Sequence, residues 1–176
     1  MHIMRNAFPK PQDRSAVAVT TPSGAKILVL GVGNEIRGDD AAGLIVSRQL
    51  KEKLARDIII TEQTGEGTRL VELWKEFDTV FVIDATKSGL APGTIQRFEA
   101  DKSPLPADLF SLGHSTHAYG VPQAVELARS MGQLPRKLLV YGIEGKCFDE
   151  GAGISPDVAF ASQQLAELLV NEISQR

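Results

Sequence analysis

The sequence predicts an α/β protein, a single three-layer α/β/α domain built on a mostly parallel sheet of about five strands with one antiparallel edge strand. Short apolar runs alternate with helical patterns along the chain, and this alternation is typical of parallel sheets with helices on both faces. Several runs are apolar at every position, as in strands that are buried on both faces. At 176 residues the chain is long enough to bury the core of such a domain.

Each predicted element has its own signal. The first strand is a continuous apolar run that ends in Gly31-Val32-Gly33. Residues 94–98 alternate polar and apolar side chains, which is typical of an edge strand with one wet face. The last helix begins at Ser155-Pro156, which supplies an N-cap residue and an N1 proline. The predicted strands are Ile27–Leu30, Asp57–Thr61, Thr79–Ile83, Thr94–Phe98 and Lys137–Ile143, and the predicted helices lie at 42–54, 68–77, 121–131 and 155–169.

The first 25 residues differ from the rest of the chain. They contain three prolines and a glycine with little hydrophobic periodicity. We therefore expect residues 1–25 to form a poorly packed N-terminal extension and residues 26–176 to form the folded domain. The second region shows no internal repeat and no domain linker.

Composition excludes several classes of function. The formal net charge is -3, with acidic and basic residues mixed, whereas nucleic-acid binding needs a basic face. No apolar run approaches the roughly 20 residues that span a bilayer, and the N-terminus lacks the apolar stretch of a signal peptide. The single cysteine, Cys147, cannot form an internal disulfide. It is expected to be a buried apolar side chain, with a nucleophile paired to a histidine as the alternative. We expect a cytoplasmic monomer that binds neither nucleic acid nor membrane.

Acidic residues are predicted to gather at one edge of the sheet. In doubly wound folds, ligands bind beyond the carboxyl ends of the strands. Asp39 and Asp40 follow the first strand, Asp84 ends the third, and Glu144 follows the last. One of the two adjacent aspartates can cap the next helix, which leaves the other free to face this edge. Asp84 is either a solvated strand-end charge or a ligand or general base, because a buried carboxylate needs a partner.

The glycine run after the first strand raises a nucleotide site as an alternative. The dinucleotide-binding fingerprint needs a third glycine where this chain has Ile36. The aspartates that follow Gly38 would also repel a pyrophosphate. A second run, Gly65-Glu66-Gly67, follows the second strand. It is equally a plain turn or a place where a substrate approaches the backbone.

Two of the three histidines, His114 and His117, lie just before a predicted helix. This segment can fold over the edge that carries the carboxylates. Two carboxylates and one imidazole are a mixed oxygen and nitrogen set that suits a divalent metal with open positions. Two surface histidines without a ligand are the alternative. The chain has no His-Glu-x-x-His helix and no cysteine cluster, so it is neither a zincin nor a zinc finger.

Five motifs stand in order across about residues 26–173: Ile27–Asn34 with Gly38-Asp39-Asp40, Ile83-Asp84-Ala85, Ser115-Thr116-His117, Tyr141–Glu144 and Gly153–Pro156. Together they resemble the signatures of nickel-iron hydrogenase maturation endopeptidases. This chain departs from the family pattern twice. The first ligand position there is often glutamate, where this chain has the shorter Asp40, and Ala41-Ala42 replaces a stretch that contains glycine.

The resemblance implies an endopeptidase that removes the C-terminal extension of a hydrogenase large-subunit precursor. It also implies that Asp40, Asp84 and His117 are the catalytic residues and bind nickel. This nickel belongs to the precursor, so we expect no tightly bound cofactor in the enzyme itself. The nickel either polarises the scissile carbonyl or activates water, or it only positions the substrate while a carboxylate acts as general base. The alternative functions are a nickel metallochaperone and a nucleotide-binding module, both without protease activity.

Overall fold

The computed structural model describes residues 2–4, 26–55, 57–106, 109 and 120–176. Within these ranges, strands and α-helices alternate along most of the chain, and a short 3-10 helix, Gly38–Ala41, precedes the first α-helix. The strands are β1 (His2–Met4), β2 (Ile27–Val32), β3 (Ile59–Gln63), β4 (Thr79–Thr86), β5 (Ile95–Glu99) and β6 (Lys137–Glu144). The helices are α1 (Ala42–Lys53), α2 (Gly67–Trp74), α3 (Val121–Ser130) and α4 (Pro156–Ser174).

The strands form one sheet in the order β1-β5-β6-β4-β2-β3. Strands β2, β3, β4 and β6 are parallel, and β5 is antiparallel to β6. These five strands confirm the predicted mostly parallel sheet with one antiparallel strand. The three-residue strand β1 was not predicted, and it pairs with β5, so β5 is not the outermost strand. A strand this short, in a segment without periodicity, leaves no recognisable signal in the sequence.

The core lies in two layers, one on each face of the sheet. Alternate residues of β4 point to opposite faces, as the pleat of a strand requires. Val80 and Val82 pack with α2 and α3, whereas Phe81 and Ile83 pack with α1 and α4. This arrangement confirms the predicted three layers. None of the helices in the described ranges is long and apolar enough to cross a membrane.

The predicted end of β4 at Asp84 is wrong by two residues. The strand continues to Thr86, because Asp84 and Thr86 pair with Gly142 and Glu144 of β6. The Thr86 hydroxyl also donates a hydrogen bond to the Glu144 carboxylate at 2.9 Å. The first charged residue therefore does not end the ladder, because the neighbouring strand extends just as far.

The division into an extension at 1–25 and a domain at 26–176 stays a prediction. Most of the first 25 residues lie outside the described ranges.

Candidate active site

The glycine run after β2 lets the chain pack tightly at the carboxyl edge of the sheet. A Cβ atom at Gly31 would overlap Gly43 and Ser47 of α1, and one at Gly33 would overlap the Asp40 carbonyl. Both glycines therefore serve the close approach of β2 to the 3-10 helix and α1. This packing explains the glycine run without a nucleotide, and it brings Asp40 to the end of β2.

Asp39 fastens the loop after β6 to the start of α4. Its side chain is fully buried. One oxygen, Oδ2, accepts hydrogen bonds from the backbone N–H groups of Lys146 and Cys147 at 2.7 and 2.8 Å and from the Ser155 hydroxyl at 2.9 Å. The other, Oδ1, accepts the Ser155 N–H at 2.6 Å. Burial alone would raise the pKa of Asp39, but these hydrogen bonds outweigh it, so the pKa is lowered.

The expectation that Asp39 or Asp40 caps α1 is wrong. The 3-10 helix leads directly into α1, so the N-cap residue of α1 is Ala41, whose methyl side chain cannot accept a hydrogen bond. Ser155 is the N-cap residue of α4 as predicted, but its hydroxyl donates to Asp39. Asp39 thus contributes to the start of a helix that lies more than a hundred residues further along the chain.

Glu144 is a second fastening carboxylate, at the end of β6. It is buried, and each of its two oxygens accepts two hydrogen bonds. Oε1 accepts the N–H groups of Ser88 and Gly89 at 2.7 and 2.8 Å. Oε2 accepts the hydroxyls of Thr86 and Ser88 at 2.9 and 2.8 Å. Glu144 therefore holds the turn that follows β4.

Asp40 and Asp84 lie at the same edge, but their carboxylates have few partners. Both residues are 8% exposed, so the alternative of Asp84 as a solvated charge is wrong. Asp84 Oδ1 accepts the N–H of Ala85 at 2.8 Å. Among the residues that the structure describes, no other group donates a hydrogen bond to either carboxylate.

The charge of Asp40 acts on the carboxyl group of Asp84. The pKa of Asp84 is raised to about 8, first by burial and then by the charge of Asp40, while the Ala85 N–H opposes the rise. Burial also raises the pKa of Asp40, and the charge of Arg37 opposes that rise. Asp40 and Asp84 therefore form a desolvated pair that resists carrying two negative charges.

His114 and His117 lie outside the described residues. The grouping of His117 with the carboxylates therefore stays a prediction. Both ends of this segment are placed by the structure. Leu109 accepts a hydrogen bond from the N–H of Lys87, just beyond β4, at 3.0 Å. Gly120 is the N-cap residue of α3. Within the described part of the chain, no three His, Cys, Asp or Glu residues could hold a metal ion together.

Two other residues from the sequence analysis have clear surroundings. Cys147 is half-buried rather than buried, and its Sγ atom lies 3.6 Å from Oδ2 of Asp149. Gly65 has φ +87, a backbone conformation that favours glycine. Glu66 follows it as the N-cap residue of α2. Gly65 and Glu66 therefore connect β3 to α2, and Gly67 is the first residue of that helix.

The fold is that of a doubly wound α/β protein. Its acidic site lies at the carboxyl ends of β2 and β4, where the order of the strands reverses. Comparison with known proteins then gives the family. Residues 45–172 match the family model described as hydrogenase maturation protease, which covers Asp84 and begins shortly after Asp40. The chain belongs to the hydrogenase maturation protease family.

Individual relatives agree with this assignment. The hydrogenase expression/formation protein HupD of Thiocapsa roseopersicina is 29% identical over 156 residues, which are 82% of this chain and 70% of the relative. The hydrogenase 2 maturation protease of Escherichia coli strain K12 is 29% identical over 136 residues, which are 76% of this chain and 81% of the relative. The solved structure of the hydrogenase maturating endopeptidase HybD from E. coli gives a TM-score of 0.71 at 27% identity, covering 85% of this chain and 93% of that one.

The family confirms the predicted class of enzyme. The chain is a hydrolase, an endopeptidase that acts in hydrogenase maturation. Neither the nucleotide-binding module nor the metallochaperone without protease activity agrees with this finding.

Proposed function

We propose that this endopeptidase removes the C-terminal extension of a nickel-iron hydrogenase large-subunit precursor in the cytoplasm, and that it recognises the nickel bound in that precursor. The observation that carries the proposal is the pair of buried carboxylates Asp40 and Asp84. Only one hydrogen bond, from Ala85 to Asp84, reaches the pair within the described part of the chain. Such a pair is suited to meet a positive charge that arrives from outside the protein.

The electrostatics of the pair favour a divalent cation. Burial raises the pKa of both groups, and the charge of Asp40 raises the pKa of Asp84 further, so the doubly ionised pair is unfavourable in the free enzyme. A dication between the carboxylates removes the repulsion and replaces the lost solvation. The nickel of a precursor would therefore bind most favourably between the two carboxylates. It would also lower the pKa of both groups, so that both become ionised.

His117 is the proposed third ligand. Leu109, which precedes His117 in the sequence, lies beside the end of β4. Gly120, which follows His117, is the N-cap residue of α3. Helix α3 packs on the face of the sheet that contains Val80 and Val82. Asp84 lies two residues after Val82 in the same strand, so it points to the same face. These two anchors support the placement of His117 near Asp84. Carboxylate oxygen and imidazole nitrogen are both ligands that suit nickel.

The precursor brings the nickel on its own ligands, so the metal is part of the substrate. Contact with Asp40, Asp84 and His117 would place the scissile peptide at the carboxyl edge of the sheet. The raised pKa of Asp84, about 8, makes its ionised form a strong base for a carboxylate, and that form would accept a proton from water as a general base. A carboxylate that coordinates the metal instead leaves the activation of water or of the scissile carbonyl to nickel.

Mass spectrometry of the precursor tests the proposal. Nickel-loaded and nickel-free precursor are each mixed with the wild-type enzyme, and we expect only the loaded form to lose its C-terminal extension. A lost metal contact removes several kcal/mol of binding, and every 1.4 kcal/mol is about tenfold in affinity. Equal cleavage of the two forms would overturn nickel recognition, and an unchanged mass in both would overturn C-terminal processing.

Three variants connect this test to the site. Asp84→Asn and His117→Ala are each expected to reduce processing of the loaded precursor at least a hundredfold, on the order expected for loss of a metal ligand. The matched control is Asp57→Asn. Asp57 is exposed and lies two residues before β3, at the opposite edge of the sheet, so this variant should process like the wild type. Full activity of His117→Ala would remove His117 from the site.

A chelator tests where the nickel resides. Because the metal is proposed to arrive with the precursor, overnight treatment of the free enzyme with a chelator should leave its melting temperature unchanged. A structural metal would contribute directly to folding. A clear drop in the melting temperature would therefore show that the enzyme holds a metal of its own.

A further inference from the structure

Gln96 is a buried polar residue that the site described so far leaves unused. It lies in β5, and its side chain is completely buried. Within the described part of the chain, neither its Nε2 nor its Oε1 atom has a hydrogen-bond partner. Buried polar side chains almost always have a partner. An apolar residue would be the ordinary choice at such a position, so the carboxamide calls for an explanation.

The register of the sheet places Gln96 in one row with Asp84. Gln96 is paired with Gly142 of β6, and Gly142 is paired with Asp84 of β4. Residues that are directly opposite on neighbouring strands point to the same face of a sheet. The row two residues away along each strand consists of Phe98, Val140 and Val82, and these three residues belong to one core cluster. Gln96 and Asp84 therefore point to the face of the sheet that carries this cluster.

The middle position of the row carries no side chain. Neighbouring strands are about 4.8 Å apart, so Asp84 and Gln96 are about 9.6 Å apart at the backbone. Gly142 adds no side-chain atom between them. A glutamine and an aspartate that lean toward each other span this distance with at most one bridging water molecule, which is nearly as good as a direct hydrogen bond.

The two side chains are also chemically complementary. Asp84 uses one oxygen, Oδ1, to accept the N–H of Ala85. Its second oxygen has no donor in the described part of the protein. The Gln96 amide offers two N–H donors without an acceptor in that same part. An unused acceptor and an unused donor thus share one row of one face.

We propose that Gln96 is a positioning residue for Asp84. Its side-chain amide donates a hydrogen bond to a water molecule that bridges it to the Asp84 carboxyl group across Gly142. The hydrogen bond fixes the orientation of the carboxyl group that meets the substrate, and it becomes stronger when Asp84 is ionised. Gln96 itself does not touch the substrate.

Nuclear magnetic resonance tests the contact in the free enzyme. The Gln96 side-chain NH₂ signals are identified by their absence from the spectrum of Gln96→Met. They are expected to shift in Asp84→Asn, which replaces the acceptor carboxyl group by a carboxamide, and in Gly142→Ala, which places a methyl group between the two residues. Asp57→Asn is the control and should leave them in place. Signals that do not move in Asp84→Asn overturn the proposal, whatever the enzyme does with nickel.

A processing assay tests the consequence, and this arm rests on the proposed role of Asp84. With nickel-loaded precursor, Gln96→Met is expected to lower kcat about tenfold while KM and the melting temperature are maintained. Gln163→Met, on the exposed surface of α4, is the control and should match the wild type. A Gln96→Met variant with normal kcat overturns the positioning role. Failure of the wild type to process the precursor would overturn the proposed function instead, and the resonance experiment would still decide the contact.

Discussion

Four carboxylates share the carboxyl edge of the sheet, and they form two pairs with opposite surroundings. The fastening pair, Asp39 and Glu144, accepts eight hydrogen bonds, four on each side chain. The open pair, Asp40 and Asp84, accepts one from the described residues. All four residues are buried, so burial alone does not distinguish them. The number of hydrogen bonds does, because a satisfied carboxylate stabilises the fold, whereas an unsatisfied one is available to a ligand.

The contrast is sharpest between two neighbours in the chain. Asp39 and Asp40 are the same residue type in the same 3-10 helix, yet the pKa of Asp39 is lowered and that of Asp40 is raised. Successive residues of a helix point in different directions. Asp39 therefore points to the loop after β6, while Asp40 is close enough to Asp84 to affect its pKa. Structural and functional roles are divided between adjacent side chains.

The largest expected effect on stability is that of Asp39→Asn. Both oxygens of Asp39 accept backbone N–H groups, so an asparagine NH₂ group must face at least one N–H in either orientation. We expect the free energy of unfolding to fall by about 4 kcal/mol, from lost charged hydrogen bonds and an unsatisfied donor. Chemical denaturation measures this change. A loss below about 1 kcal/mol would show that Asp39 does not fasten the loop.

Asp84→Asn is expected to have the opposite effect, and its size should depend on pH. The pKa of Asp84 is about 8 in the folded protein and 3.8 as its reference value. Between these values the folded state holds a proton that the unfolded state has lost, so wild-type stability falls as the pH rises through this window. Asparagine has no proton to lose. The stability of the variant relative to the wild type should therefore rise by about 3 kcal/mol from pH 5 to pH 7, at about 1.36 kcal/mol per pH unit.

Denaturation of the wild type and Asp84→Asn at several pH values measures this gain. Below about pH 3, under the reference pKa of 3.8, the wild type is uncharged at this position in the folded and the unfolded state alike, and the stability difference between the two proteins should become constant. A stability difference that is the same at every pH would mean that Asp84 is ionised normally in the fold.

Much of the fold was predictable from the sequence because it depends on local patterns. Continuous apolar runs marked the buried strands β2, β4 and β6, and Ser155-Pro156 marked the start of α4. These signals act within a few residues. The strand β1 and the extension of β4 to Thr86 depend on pairing with distant strands, which no local window contains.

The site was predictable only in part, for the same physical reason. The rule for doubly wound sheets placed Asp40 and Asp84 at one edge, and the structure agrees. The partners of Asp39 are more than a hundred residues away, so its role could not be read from its neighbours, and helix capping was the nearest local explanation. Gln96 was missed because its row with Asp84 depends on two strand registers. Its one local signal is a polar residue at an inward position of β5.

Glu144→Gln sharpens the comparison within the fastening pair, because we expect it to be mild. Glu144 Oε1 accepts two backbone N–H groups, but Oε2 accepts only the hydroxyls of Thr86 and Ser88. Hydroxyl groups rotate and accept as well as donate. A glutamine can keep its oxygen on the N–H groups and turn its NH₂ toward the hydroxyls. The free energy of unfolding should fall by about 1 kcal/mol or less, and a loss as large as that of Asp39→Asn would contradict this account.

The smallest expected effect tests whether the open pair is a pair at all. The charge of Asp40 is the second cause of the raised pKa of Asp84, after burial. Asp40→Asn removes that charge and keeps the shape of the side chain, so the pKa of Asp84 should fall but stay above its ordinary value, because burial is unchanged. Carbon-13 resonances of the Asp84 carboxyl group, followed over a pH titration, measure the shift. Asp157→Asn, in the exposed first turn of α4, is the control and should leave the titration of Asp84 in place. An unchanged pKa in Asp40→Asn would mean that the carboxylates are electrostatically independent, and relief of their repulsion would then contribute nothing to the binding of a cation between them.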